Sequence, residues 1–117
     1  MTFAEEIESV AGGADKIEAI VIGNFGWSYG EEEDDADAYG FGNNRKPIHK
    51  ALKYIVLEWV VARPHLDYVY DGDFGAADCH QITVWGKDFV MGVHEYDGST
   101  SLVKVPRNPI VYKPIFI

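Results

Sequence analysis

The chain has 117 residues, 47% of them apolar, and carries 10 basic residues against 19 acidic ones for a formal net charge of −9. That size and apolar content suit one domain with one core, spanning 1–117, and no run approaches the roughly 20 consecutive apolar residues that a membrane-crossing helix needs. The charge repels nucleic acid and anionic membrane, so direct nucleic-acid binding is not expected and a basic protein partner is favoured.

The opening MTFAEEIESV is acidic where a secretory leader would be basic. The only cysteine, Cys79, excludes an intramolecular disulfide. Both point to a cytoplasmic protein. Thr2 and Glu5 have the spacing of a capping box, and Phe3, Ile7 and Val10 fall on one helical face while Glu5, Glu6 and Glu8 face water. The spacing predicts a short amphipathic helix ended by Gly12-Gly13. Ile17 to Phe25 (IEAIVIGNF) is β-branched and almost continuously apolar, the pattern of a central strand covered on both faces.

From about residue 26 to 45 the composition turns to glycine, aromatics and acid. Six of the 19 acidic residues (Glu31, Glu32, Glu33, Asp34, Asp35 and Asp37) lie in EEEDDAD, leaving 13 acids against 10 bases elsewhere. The acidity belongs mainly to this loop, which Trp27, Tyr29, Tyr39 and Phe41 flank. Pro47 to Arg63 combines helical spacing (Ile48, Leu52, Ile55, Trp59, Ala62) with a β-branched run, YIVLEWVV. The spacing predicts a helix with Lys50, Lys53 and Glu58 outside, ended by Pro64. Arg45, Lys46, Lys50 and Lys53 form one local basic patch that answers the acidic loop.

Beyond Pro64 the period becomes two through LDYVYD, CHQITVW, DFVMGVHEY and SLVKV, with glycine-bearing turns between. Gly86-Lys87 and Asp97-Gly98 fit two-residue hairpin turns. The fold class is therefore α+β: a single antiparallel sheet of about five strands, a meander of hairpins, with two helices packed on one face. The closing VYKPIFI adds an edge strand to its own sheet or pairs with another subunit, giving a monomer or a homodimer.

Counting back from those turns, Trp85 faces Asp88 and Tyr96 faces Ser99. Cys79 then comes opposite His94, and His94 opposite Ser101, on the less apolar face. Ile82, Val84, Phe89, Met91, Val93 and Leu102 make the core face. A thiol beside an imidazole is the minimum equipment of a cysteine nucleophile, which makes Cys79 and His94 the weak catalytic candidates. They supply only two of the three or four ligands zinc requires, so no metal site is expected, and the glycine-rich stretches lack a phosphate-loop setting, so no cofactor is expected.

The segments EAIVIGNFGW (Glu18 to Trp27), LDYVYDGDFGAADCH (Leu66 to His80) and HEYDGSTSLVKVPRNP (His94 to Pro109) resemble a family of small uncharacterised proteins encoded by bacteriophages, mostly those of actinobacteria. The resemblance covers about half the chain. It implies a setting, the host cell, rather than a reaction, and only a short helix before LDY; EEEDDAD and the length of KPIHKALKYIVLEWVV depart from the pattern. The expected function is that of a non-enzymatic accessory protein, of the host-takeover or anti-defence kind, which binds a host or phage macromolecule. The acidic residues of 31–37 would steer association, and Trp27 and Tyr39 would anchor it. The alternatives are a small hydrolase or transferase using Cys79 and His94, and a structural, self-assembling protein.

Overall fold

A computed structural model describes residues 1–25, 48, 50–70, 79–96 and 99–115. Helix α1 (Phe3–Ala11) opens with the predicted capping box: Thr2 Oγ1 accepts the Glu5 N–H at 3.2 Å and Glu5 Oε1 accepts the Thr2 N–H at 2.8 Å. The Thr2 backbone bond holds the Glu5 carboxyl below the usual carboxylate range. Gly12 ends the helix at φ 94°, the left-handed conformation that an L side chain rarely adopts. A 3₁₀ turn (Ala14–Lys16) then leads into β1 (Ala19–Phe25).

Strands β1, β2 (His80–Trp85), β3 (Phe89–Tyr96) and β4 (Ser99–Pro106) form one antiparallel sheet in the order β1-β2-β3-β4. Ile20, Ile22, Ile82, Val84 and Met91 are buried on one face together with Phe3, Ile7 and Ala11 of α1. The α+β class is as expected, with four strands among the described residues rather than five. LDYVYD is the missing one: its alternation is real, since Leu66 and Tyr68 are buried while Asp67 and Val69 are exposed. Its backbone is committed elsewhere. The N–H groups of Phe3 and Ala4, which a helix start leaves without intrahelical partners, donate to the Tyr68 and Leu66 carbonyls at 2.7 and 2.9 Å.

The predicted helix over 47–63 is also corrected. Residues 50–52 make a 3₁₀ turn, and α2 is four residues long (Trp59–Ala62), followed by a 3₁₀ turn (Arg63–His65) that contains Pro64. Between them the chain runs beside β1. The N–H of Ile20 donates to the Leu57 carbonyl at 3.0 Å, the Leu57 N–H returns to Ile20 at 2.8 Å, and the Tyr54 N–H bonds the Ile22 carbonyl at 2.9 Å. The free edge of β1 needs those partners more than YIVL needs a helix, so tertiary pairing overrides the helical spacing. Thus β1 is the terminal strand of the ladder, bordered by this segment, rather than a central one. Lys53, predicted to face water, is 6% exposed and donates to Asn24 Oδ1 at 2.8 Å.

Glu8 joins α1 to α2. Its carboxylate accepts Trp59 Nε1–H at 2.9 Å and a forked pair from Arg63, Nε at 3.0 Å and Nη2 at 3.2 Å. The Arg63 bonds, with Trp59 second, hold the Glu8 carboxyl below its usual range, and Glu8 raises Arg63 in turn. A carboxyl depressed in the folded state stabilises the fold above its unfolded pKa and loses that contribution as pH falls through the folded one. The stability gap between the wild type and Glu8→Gln, measured by urea unfolding over a pH series, is therefore expected to be widest near neutrality and to narrow in acid. A gap independent of pH would rule out the charge as its source.

Candidate functional site

The β2–β3 register decides whether Cys79 can meet His94. The pairs are Trp85↔Val90, Val84↔Met91 and Thr83↔Gly92, two residues away from the pairing that a Gly86-Lys87 turn requires. The Gly86 N–H donates to the Phe89 carbonyl at 3.0 Å, so Lys87 and Asp88 are the central residues. Gly86 is there for a different reason than a turn conformation: a Cβ at this position would lie 2.0 Å from Cε2 of Phe89, whose ring crosses it. A shift of two preserves the faces, so Ile82, Val84 and Met91 still point inward. It removes the pairing of Cys79 with His94. The β3–β4 half of the prediction holds, with Tyr96↔Ser99, His94↔Ser101 and Val93↔Leu102.

Cys79 lies just before β2, outside its alternation, and is 1% exposed within the core cluster, with His80 beside it also buried. The expected face shared by Cys79, His94 and Ser101 therefore does not form: Cys79 is in the core, His94 half-buried and Ser101 exposed on the opposite face of the sheet. His80 is tied to Tyr68, whose Oη accepts the His80 backbone N–H at 2.8 Å and sits 2.9 Å from Nδ1. Nearby, Tyr70 Oη donates to both Glu6 carboxylate oxygens at 3.0 and 2.9 Å. Burial, and then that bond to Glu6, push the Tyr70 phenol above its ordinary range, so it stays protonated. This polar cluster ties α1 to the segment before β2. Among the described residues, no three His, Cys, Asp or Glu side chains converge as metal ligands.

The acidic candidates Glu31, Glu32, Glu33, Asp34, Asp35 and Asp37, with Trp27 and Tyr39, lie outside the described residues, as do Asp97 and Gly98. Among the described ones an open groove of about 780 Å³ runs from the end of α1 to the start of β3. Lys16, Lys87 and Lys104 line it together with Asp15, Glu18 and Asp88. Opposed in equal number, these charges select neither anions nor cations.

The feature missed by sequence reasoning is an exposed apolar run at the border of β1. Leu57, Trp59 and Ala62 enter the core, whereas Tyr54, Ile55, Val56, Val60 and Val61 face solvent, Val56 at 71% and Val60 at 74%. Tyr54 also holds a positive φ of 63°, uncommon for a residue with a side chain. The signal was present in YIVLEWVV, which has more apolar residues than one buried face can take. No helix of the described residues is long and apolar enough to cross a membrane. The chain matches no protein-family model, no curated protein and no solved structure.

Proposed function

We infer that the protein is a small accessory protein of the phage-encoded, host-takeover or anti-defence kind, acting in the host cytoplasm by binding a basic protein rather than by catalysis. The observation that carries this reading is the exposed apolar run from Tyr54 to Val61. Tyr54, Ile55 and Val56 before the buried Leu57 and Trp59, and Val60 and Val61 after them, are solvent-facing aromatic and β-branched side chains that lose free energy in water and gain it against a partner. The six carboxylates within 31–37 supply the complementary long-range term: they speed encounter with a basic surface and are screened by salt. Trp27 and Tyr39 add apolar anchors beside them. Burial of Cys79 speaks against the cysteine-enzyme alternative, because a nucleophile must reach its substrate.

The test uses a basic protein captured from host lysate and then purified. Changing Glu31, Glu32 and Glu33 to Gln and Asp34 and Asp35 to Asn is expected to slow its association about 10-fold or more at low salt and to flatten the salt dependence. Val56→Asp with Val60→Asp should speed dissociation instead. Unchanged kinetics in both variants reject the reading. So would rapid alkylation of Cys79 below neutral pH in the folded protein, since a core thiol reacts only as the protein opens.

A further inference from the structure

We propose that Tyr54 is an anchor of the binding surface, and that the hollow between its ring and Gly23 receives one aliphatic side chain of the partner protein. The proposal deepens the function given above and rests on it only for the source of that side chain. Tyr54 is the only non-glycine residue among those described with a positive φ, 63°. The fold accounts for the conformation: after the 3₁₀ turn of 50–52 the chain gives its Tyr54 N–H to the Ile22 carbonyl at 2.9 Å and then pairs Leu57 with Ile20. It does not account for the residue. Glycine or asparagine takes the left-handed region at less cost than tyrosine, and a residue that is 56% exposed adds little to the core. Strain kept at an exposed aromatic points to a use outside the fold. The other exposed apolar stretch, Ile110 to Tyr112, has no such strain. It lies within 107–115, which is neither strand nor helix, and this corrects the expectation that the segment adds an edge strand to its own sheet.

The space beside the ring defines what it receives. Val21, Gly23, Gln81, Ile82 and Thr83 enclose with Tyr54 a hollow of about 180 Å³. Small-molecule sites have about 300–1,000 Å³, so this one is sized for a single side chain. Gly23 keeps it open: a Cβ there would come 3.2 Å from Gln81 Oε1 and 3.6 Å from Tyr54 Cε1, between two of its walls. Among the described residues no charged side chain lines it. Lys53 Nζ stands 6.0 Å from the Tyr54 ring centroid, so a lysine or arginine of the partner is repelled, whereas leucine, isoleucine or methionine is not. The partner's basic residues thus serve encounter, and an apolar one fills the hollow. Ile55 and Val56, both exposed, continue the apolar surface next in the chain. Anchors seated in such pockets carry most of the energy of an interface.

Titration of the isotope-labelled full chain with N-acetyl-leucine amide at millimolar concentration is expected to shift the amide signals of Gly23, Tyr54 and Thr83, and N-acetyl-lysine amide is expected to leave them in place. The shifts should be lost in Tyr54→Gly, which keeps the backbone conformation and removes the ring, and in Gly23→Ala, which puts a methyl group into the hollow. The unfolding midpoint of Tyr54→Gly should be unchanged or higher, because the strain is relieved. From the purified basic partner, Tyr54→Gly should dissociate about 10-fold faster than the wild type. No shift with the leucine amide, or equal shifts with the lysine amide, would overturn the proposal. So would a lower midpoint in Tyr54→Gly, which would make the ring a structural part of the fold. Dissociation that Val56→Asp with Val60→Asp accelerates and Tyr54→Gly does not would overturn the anchor and leave the proposed function standing.

Discussion

Phe3→Ala is expected to destabilise the protein by about 3–5 kcal/mol, the range for truncating a fully buried aromatic side chain. Phe3 has no solvent exposure and stands between two tyrosines, its ring centroid 5.7 Å from that of Tyr68 and 5.1 Å, edge-on, from that of Tyr70. Alanine would forfeit the transfer energy of the ring, the contacts with both neighbours and the filling of the space between α1 and the 66–70 segment. Small domains hold about 5–15 kcal/mol in total, so this one change is expected to remove a large part of the stability. Equilibrium urea unfolding measures it. A loss under about 1 kcal/mol would mean that the site collapses around alanine and that Phe3 is not central to the core.

Tyr68→Phe is expected to cost about 1–3 kcal/mol, the penalty for depriving a buried polar group of its partner. Phenylalanine keeps the ring, the burial and the packing on Phe3 while removing one oxygen. That oxygen accepts the His80 backbone N–H and bonds Nδ1 of the same residue, inside a region where both residues are nearly inaccessible to water. The change therefore isolates hydrogen bonding from packing. Amide exchange at His80 should accelerate in parallel with the fall in unfolding midpoint. If stability is kept and His80 exchange is unaltered, the phenol is not what fixes the start of β2.

Helix α1 was legible in the sequence because its signals are local. A capping box, an apolar stripe and a terminal glycine all act within one turn of the residues that carry them, and Thr2, Glu5 and Gly12 take those roles. The inward face of the sheet was legible too, since strand alternation survives a register shift of two. The register itself was not. In the sequence Gly86 reads as a turn former, whereas its missing Cβ makes room for the Phe89 ring, a constraint set by a neighbour across the turn. Two segments depart from the elements their sequence predicts for a common reason: their backbone groups are claimed by distant parts of the chain. Tyr54 and Leu57 serve the edge of β1, and Leu66 and Tyr68 serve the start of α1. The pairing of Cys79 with His94 depended on the register and fell with it. The exposed residues between Tyr54 and Val61 are obscured in the sequence by the helical spacing, which offers Ile55 a place inside, whereas the structure leaves it outside.

The carbonyls that receive the first turn of α1 have a consequence for how the chain acquires its structure. Phe3 and Ala4 bond to residues more than sixty positions later, and β1 finds its strand partner only in 80–85. Loop closure of that span must precede most of the gain from burial, so folding is expected to be slow for a domain of this size. During synthesis the leading helix and strand would wait on the ribosome with their apolar faces uncovered until the middle of the chain has emerged.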